Sequence, residues 1–200
     1  MGDRTYVTLI VGPNGMFDAD NALNAETCDL QEDGTYLLEC TDMDYGGTSV
    51  LEQLAKAGIL FFGEHGAGHD YGRNVLVSID GQLVTQDTCD GDQPYVPVGD
   101  DGTISEEQLE EARTFVALRN RVKEILKRPT VMSVELGPWM QTEPPLAGEL
   151  YRAKMSDGGR TTLGAKQGHH AADFKDSLVG KTAGEAFEMI TGRGTKQEVL

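Results

Sequence analysis

The sequence predicts an α+β protein: a small mixed or antiparallel sheet with two or three packed helices, followed by an irregular C-terminal extension. Three observations predict it. Short runs of β-branched and aromatic residues recur through the first 136 positions. Two amphipathic helical patterns interrupt those runs without alternating regularly with them. Beyond residue 136 the periodicity fades into glycine and proline, which sets an acidic α+β domain at 1–136 and a Gly/Pro-rich, mildly basic extension with short helices at 137–200. An apolar content of 38% beside 25 glycines in 200 residues suits a globular chain with many turns.

Taken in order, Tyr6–Val11 reads as a strand that Gly12-Pro13-Asn14-Gly15 stops. A short helix is expected near Asp20–Ala25, then a second strand over Thr35–Thr41. Gly46-Gly47 opens a helix capped by Thr48 or Ser49, with Val50, Leu51, Leu54 and Ala57 at helical spacing until Gly58; a strand follows over Ile59–Phe62. Asn74–Asp80 and, after Gly81-Gln82, Leu83–Gln86 read as a hairpin turning at Asp80-Gly81. Tyr95–Val98 reads as an edge strand, because Pro97 has no N–H for a central ladder. Two overlapping capping boxes, Thr103 with Glu106 and Ser105 with Gln108, precede a long helix bearing Leu109, Ala112, Phe115, Val116, Leu118, Val122, Ile125 and Leu126, which Pro129 ends. Thr130–Leu136 suits one more strand, Gly137–Gly168 irregular or extended chain, and Ala171–Leu178 and Ala183–Ile190 short helices, the second with the capping box Thr182–Glu185.

Charge is spread unevenly. Residues 1–111 carry 23 Asp and Glu against Arg4, Lys56 and Arg73, a net of −20; residues 112–200 carry 14 basic against 10 acidic residues, a net of +4. A dense like-charge surface repels itself and is most useful for steering a cationic surface toward it, so the expected partner is a basic nucleic-acid-binding host protein, with no direct nucleic-acid contact by the acidic half. The candidate partner-binding residues are Asp42, Asp44, Asp87, Asp90, Asp92, Asp100, Asp101, Glu106, Glu107, Glu110 and Glu111, six of them within 100–111. Trp139, the sole tryptophan, joins them as an anchor, since interface hot spots favour Trp; packing of the extension onto the core is the other reading.

The loop Gly63-Glu-His-Gly-Ala-Gly-His-Asp-Tyr-Gly72 is the second candidate site. A phosphate cradle fails on context, because the loop leads into another strand and not into a helix. His65 and His69 with Glu64, Asp70 or Cys89 offer nitrogen, oxygen and sulfur ligands for a divalent metal such as zinc, but i,i+4 histidines converge only on a helix, which the loop's glycines oppose. The alternative to a cofactor-free binding protein is therefore a small metal-binding protein or metal-dependent enzyme centred on 63–72. The Asp-rich turns lack the spacing of an EF-hand loop.

No nucleophile elbow, His-Glu-x-x-His, P-loop or zinc-deaminase signature occurs, so no catalytic residue is assigned. Cys28, Cys40 and Cys89 are odd in number and form no CxxC pair, which fits a reducing compartment; Cys40 reads as core, Cys28 and Cys89 as thiols blunted by acidic surroundings. With no basic-then-apolar leader at the start and no apolar run of ~18–20 residues, the expectation is a cytoplasmic protein without membrane contact. Arg152, Lys154, Arg160, Lys166, His169 and His170 either grip an anion or fold back onto the acidic half.

The segment Glu39-Cys-Thr-Asp-Met-Asp-Tyr-Gly-Gly-Thr-Ser-Val-Leu-Glu-Gln-Leu-Ala-Lys-Ala-Gly-Ile-Leu-Phe, with Gly68-His-Asp-Tyr-Gly72, resembles small acidic proteins of phages and plasmids. The resemblance implies a mobile-element origin, and with the charge profile an inhibitor of the nucleic-acid-mimic, anti-restriction or anti-CRISPR type. A virion or assembly protein, its extension wrapped on a neighbour, is the third possibility.

Overall fold

A computed structural model describes residues 4–68, 72–89, 93–142, 145–167 and 172–191. The protein is α+β, as the sequence predicts. Among the described residues it forms a six-stranded and a three-stranded sheet, both antiparallel. The larger comprises β1 (Arg4–Val11), β2 (Thr27–Leu30), β3 (Tyr36–Asp44), β4 (Phe61–His65), β5 (Asn74–Ile79) and β6 (Gln82–Asp87), in the order β2-β3-β1-β4-β5-β6. Since β3 and β4 both run antiparallel to β1, they are parallel to each other across it. The helix that joins them, α2 (Thr48–Lys56), makes the segment a split β-α-β unit.

Alternation fixes the two faces of β1. Val7, Leu9 and Val11 are fully buried and pack with Leu23 of α1 (Met16–Leu23) and Leu51 and Leu54 of α2, while Ile10 joins the opposite face. That face receives α3 (Glu106–Lys127) through Phe115, Val122 and Leu126. With helices on both sides, β5 is buried at Val75, Leu76, Val77, Ser78 and Ile79 and reads as a continuous apolar run; Ser78 donates its hydroxyl to the Ile59 carbonyl at 2.7 Å. The β5–β6 hairpin turns at Asp80-Gly81, both at positive φ (53° and 78°), as the dipeptide predicts.

Several expectations change. The first helix begins earlier than Asp20, at Met16, and β2 is an unforeseen edge strand, exposed throughout. Gly47, not Thr48 or Ser49, is the N-cap of α2. Both glycines there serve close packing as well as positive φ: a Cβ on Gly46 would sit 2.9 Å from the His65 ring, and one on Gly47 2.7 Å from the Met43 methyl. Tyr95–Val98 supplies only an isolated bridge between Val98 and Ile104. At α3 the effective N-cap is Ser105, which accepts from the Gln108 N–H at 3.4 Å, whereas Thr103 bonds backward to Asp101.

The segment after 136 is the largest difference. β7 (Val131–Thr142), β8 (Pro145–Met155) and β9 (Arg160–Gln167) form the second sheet, and its core gathers Val134, Tyr151, Leu163, Leu178 and Ile190 with the short helices α4 (Ala172–Asp176) and α5 (Ala183–Thr191). The division at 136 thus falls inside β7. The prolines are compatible with this pairing because Pro138 lies on an edge strand and Pro145 at a strand start, where a missing N–H costs no central ladder bond. The capping box Thr182–Glu185 forms as expected: Thr182 N–H donates to Glu185 at 2.7 Å, and Glu185 N–H to the Thr182 hydroxyl at 3.3 Å.

The turn between β8 and β9 ties the second sheet to the first. Asp157, fully buried, accepts from the Asn14 backbone at 3.2 Å, the Asn14 amide at 3.0 Å and the Gly159 N–H at 3.4 Å, while its carbonyl accepts from Leu60 N–H at 3.0 Å. A Cβ on Gly158 would lie 1.8 Å from the Gly58 carbonyl oxygen, and one on Gly159 2.0 Å from the Asn14 carbonyl, so only glycine fits either place.

Candidate functional site

Antiparallel register decides where the acidic residues go. Arg4 pairs with Asp44, Val7 with His65, His65 with Asn74, and Asn74 with Asp87, so the C-terminal ends of β3, β4 and β6 share one end of the large sheet. Asp42 and Asp44 stand exposed there beside Arg4, which pairs with both, and Asp87 stands exposed on β6. The start of α3 belongs to the same end: Gln108 and Glu111 line a cleft of about 270 Å³ with Asn74, Asp87 and Tyr95. Farther along, Arg121 reaches Asp80, which turns the chain at the opposite end. Asp157 and Asn14 also meet at that opposite end, next to the C-terminus of β1. The acidic end therefore points away from the second sheet.

Within this end the carboxylates differ in what holds them. Asp101 accepts from the Thr103 hydroxyl at 2.7 Å and N–H at 3.0 Å; the hydroxyl bond leads in holding its carboxyl below the usual range. Glu106 and Glu107 lie in the first turn of α3, where the helix dipole favours anions; Glu110 and Glu111 lie beyond it. Glu110 meets Arg113 at 3.5 Å; among the described residues Glu106, Glu107 and Glu111 have no basic partner. Asp90 and Asp92 lie outside the described residues, as does the side chain of Trp139, whose backbone pairs with Gly148 in the second sheet.

Chain comparisons with family models, curated proteins and solved structures return no match.

The 63–72 loop is divided by the pleat. Glu64 and His65 are consecutive on β4, so their side chains leave opposite faces and do not converge on one ion. Both Glu64 oxygens accept from Arg73 at 2.7 Å, and the Tyr6 hydroxyl lies 3.4 Å from Glu64. Burial foremost, with Glu64 adding and Arg73 opposing, pushes the Tyr6 hydroxyl above its ordinary pKa. His65 is buried against Gly46 and donates its Nδ1–H to the Gly66 carbonyl at 2.8 Å. His69 and Asp70 lie outside the described residues; among the described ones no group of three His, Cys, Asp or Glu is placed to hold a metal.

Cys40 is core, as expected, and Cys28 is exposed with its thiol pushed up by desolvation first and then by Asp20 and Asp29. Arg152, Lys154 and Arg160 are exposed on the second sheet with no ion pair among the described residues, so they do not neutralise the acidic half there. Lys166 is on β9; His169 and His170 lie outside the described residues. Sequence reading missed Arg119, which is buried in the α3 stripe between Phe115 and Val122 and reaches Gln93 at 3.4 Å. Its spacing from Ala112, Phe115, Val122 and Leu126 is the signal that locates it. Among the described residues no helix is long and apolar enough to cross a membrane.

Proposed function

We propose that the protein is a cytoplasmic, non-enzymatic binding protein of a phage or plasmid. Its acidic end docks on, and inhibits, a host nucleic-acid-binding protein of the defence type. The supporting observation is the start of α3. Glu106, Glu107, Glu110 and Glu111 fall within about 7.5 Å of helix axis, roughly one carboxylate per 2 Å, against one phosphate charge per ~1.7 Å of duplex. All four are exposed, and register sets Asp87 and the pair Asp42 and Asp44 at the same end of the sheet. Carboxylates so arranged present to a basic channel the charge spacing that its phosphates normally supply, and speed encounter through the field they create.

The test is capture from a bacterial lysate by wild type and by a variant in which Glu106, Glu107, Glu110 and Glu111 are changed to Lys, at low and at high salt. The expected result is a nucleic-acid-binding protein retained at low salt, released by salt or by duplex DNA, and lost with the variant. Capture indifferent to both charge reversal and salt overturns the proposal. Circular dichroism of the variant separates lost binding from a lost helix.

A further inference from the structure

The face of the second sheet carries a charge arrangement that works against folding. In the β8–β9 register Lys154 stands directly opposite Arg160, and both are exposed. Like charges in directly opposed positions repel and destabilise the pair. In a chain with 33 acids, no described carboxylate pairs with either of them. Arg152 lies two residues from Lys154 on the same face, with Glu135 opposite it on β7 and Thr162 opposite it on β9. These side chains line a depression of about 180 Å³ in which, among the described residues, Glu135 is the one carboxylate against Arg152, Lys154 and Arg160, an excess of two positive charges.

Lys154 also lines a second, larger depression of about 570 Å³, formed where the two sheets meet. One wall is apolar, made by Leu60, Ile79, Ile125 and Met132; Asp80, Ser133 and Arg121 supply polar groups at its margins. The volume falls in the range of roughly 300–1,000 Å³ that holds small organic ligands, and such sites favour the junction between structural units. Lys154 lines both depressions, and Ser133 of the larger stands opposite it in the β7–β8 register, which sets the two side by side on this face.

We propose that this composite cleft binds a nucleoside phosphate. The phosphoryl oxygens lie against Lys154 and Arg160 and supply the counter-charge the sheet lacks. The base lies on the apolar wall of the inter-sheet cleft, and the sugar hydroxyls face Ser133 and Asp80. An anion alone would use only the smaller depression, and an apolar molecule alone would leave the cations uncompensated. The two properties together select a molecule that carries both a phosphoryl group and a body able to cover an apolar wall, as a nucleobase does.

Calorimetric titration of the full chain with ATP, GTP, CTP and UTP, and with adenosine and inorganic phosphate as controls, tests this. At least one triphosphate should bind with about tenfold or greater advantage over both controls. Lys154→Met and Arg160→Gln should each weaken it by about tenfold, while leaving thermal stability unchanged or higher because cross-strand repulsion is relieved. Met132→Ser, at a position 58% exposed, should weaken the nucleotide and leave inorganic phosphate unaffected. Absence of triphosphate binding, equal binding of inorganic phosphate, or tighter binding of a single-stranded oligonucleotide overturns the proposal; the last result would assign the face to nucleic acid.

Discussion

Asp157 offers the sharpest test of how the two sheets are joined. Its carboxylate is fully buried and accepts two bonds from Asn14 and one from Gly159. Desolvation is the leading influence and raises its pKa above the ordinary value, against the lowering effect of those three bonds. The native state therefore binds this proton more tightly than the unfolded chain does. Stability from this group is full below the unfolded value, about 3.9, and is lost as pH rises through the higher folded value. Each unit between the two corresponds to about 1.4 kcal/mol. Asp157→Asn keeps an oxygen acceptor for Asn14 and removes the charge. Its stability relative to wild type should therefore improve steadily from about pH 4 upward and level off once wild type is fully ionised. Asp157→Ala leaves the Asn14 donors without an acceptor, a cost of about 1–3 kcal/mol, which for a chain of this size lowers Tm by roughly 2–12 °C. Urea unfolding of the three proteins across pH 4–8 measures both effects. A difference between wild type and Asp157→Asn that does not change with pH, or an Ala variant as stable as wild type, refutes the reasoning.

Two further outcomes follow from the same geometry. Gly158→Ala must relieve a 1.8 Å approach to the Gly58 carbonyl and a φ of +89°, so it should cost ~3 kcal/mol or more and make the 156–160 turn sensitive to limited proteolysis. Arg73→Met removes both bonds to Glu64, whose side chain is only 22% exposed, and should cost about 1–3 kcal/mol in denaturant unfolding; adding Glu64→Gln should recover part of it, read as coupling in a double-mutant cycle.

Much of the first 130 residues is legible because local signals there agree with the packing. β1, β3, α2, the 74–87 hairpin and α3 each combine apolar periodicity with a turn or cap at the end, and all appear close to where those signals place them. β2 is not legible, because a four-residue edge strand exposed on every residue has no buried face to impose alternation. β8 and β9 are hidden for another reason: Gly148 and Gly164 and the prolines before β8 lower strand propensity, while pairing of β8 to both β7 and β9 and packing of Tyr151 and Leu163 under α5 override it. For the acidic end, composition announces the charge, but only the antiparallel register shows that Asp42, Asp44 and Asp87 share an end with the start of α3. The 63–72 loop shows the converse, since Glu64 and His65, adjacent in sequence, part to opposite faces of β4.

The Asp157–Asn14 contact spans 143 residues, and this has a consequence for synthesis on the ribosome. At roughly 5–20 residues per second, the interval between the two ends of that contact is about 7–30 s. Until residue 157 is translated, Gly12, Asn14 and Gly58 lack the turn that packs against them in the complete chain. A chain halted before residue 157 thus leaves Asn14 without the carboxylate that joins the two sheets in the complete chain.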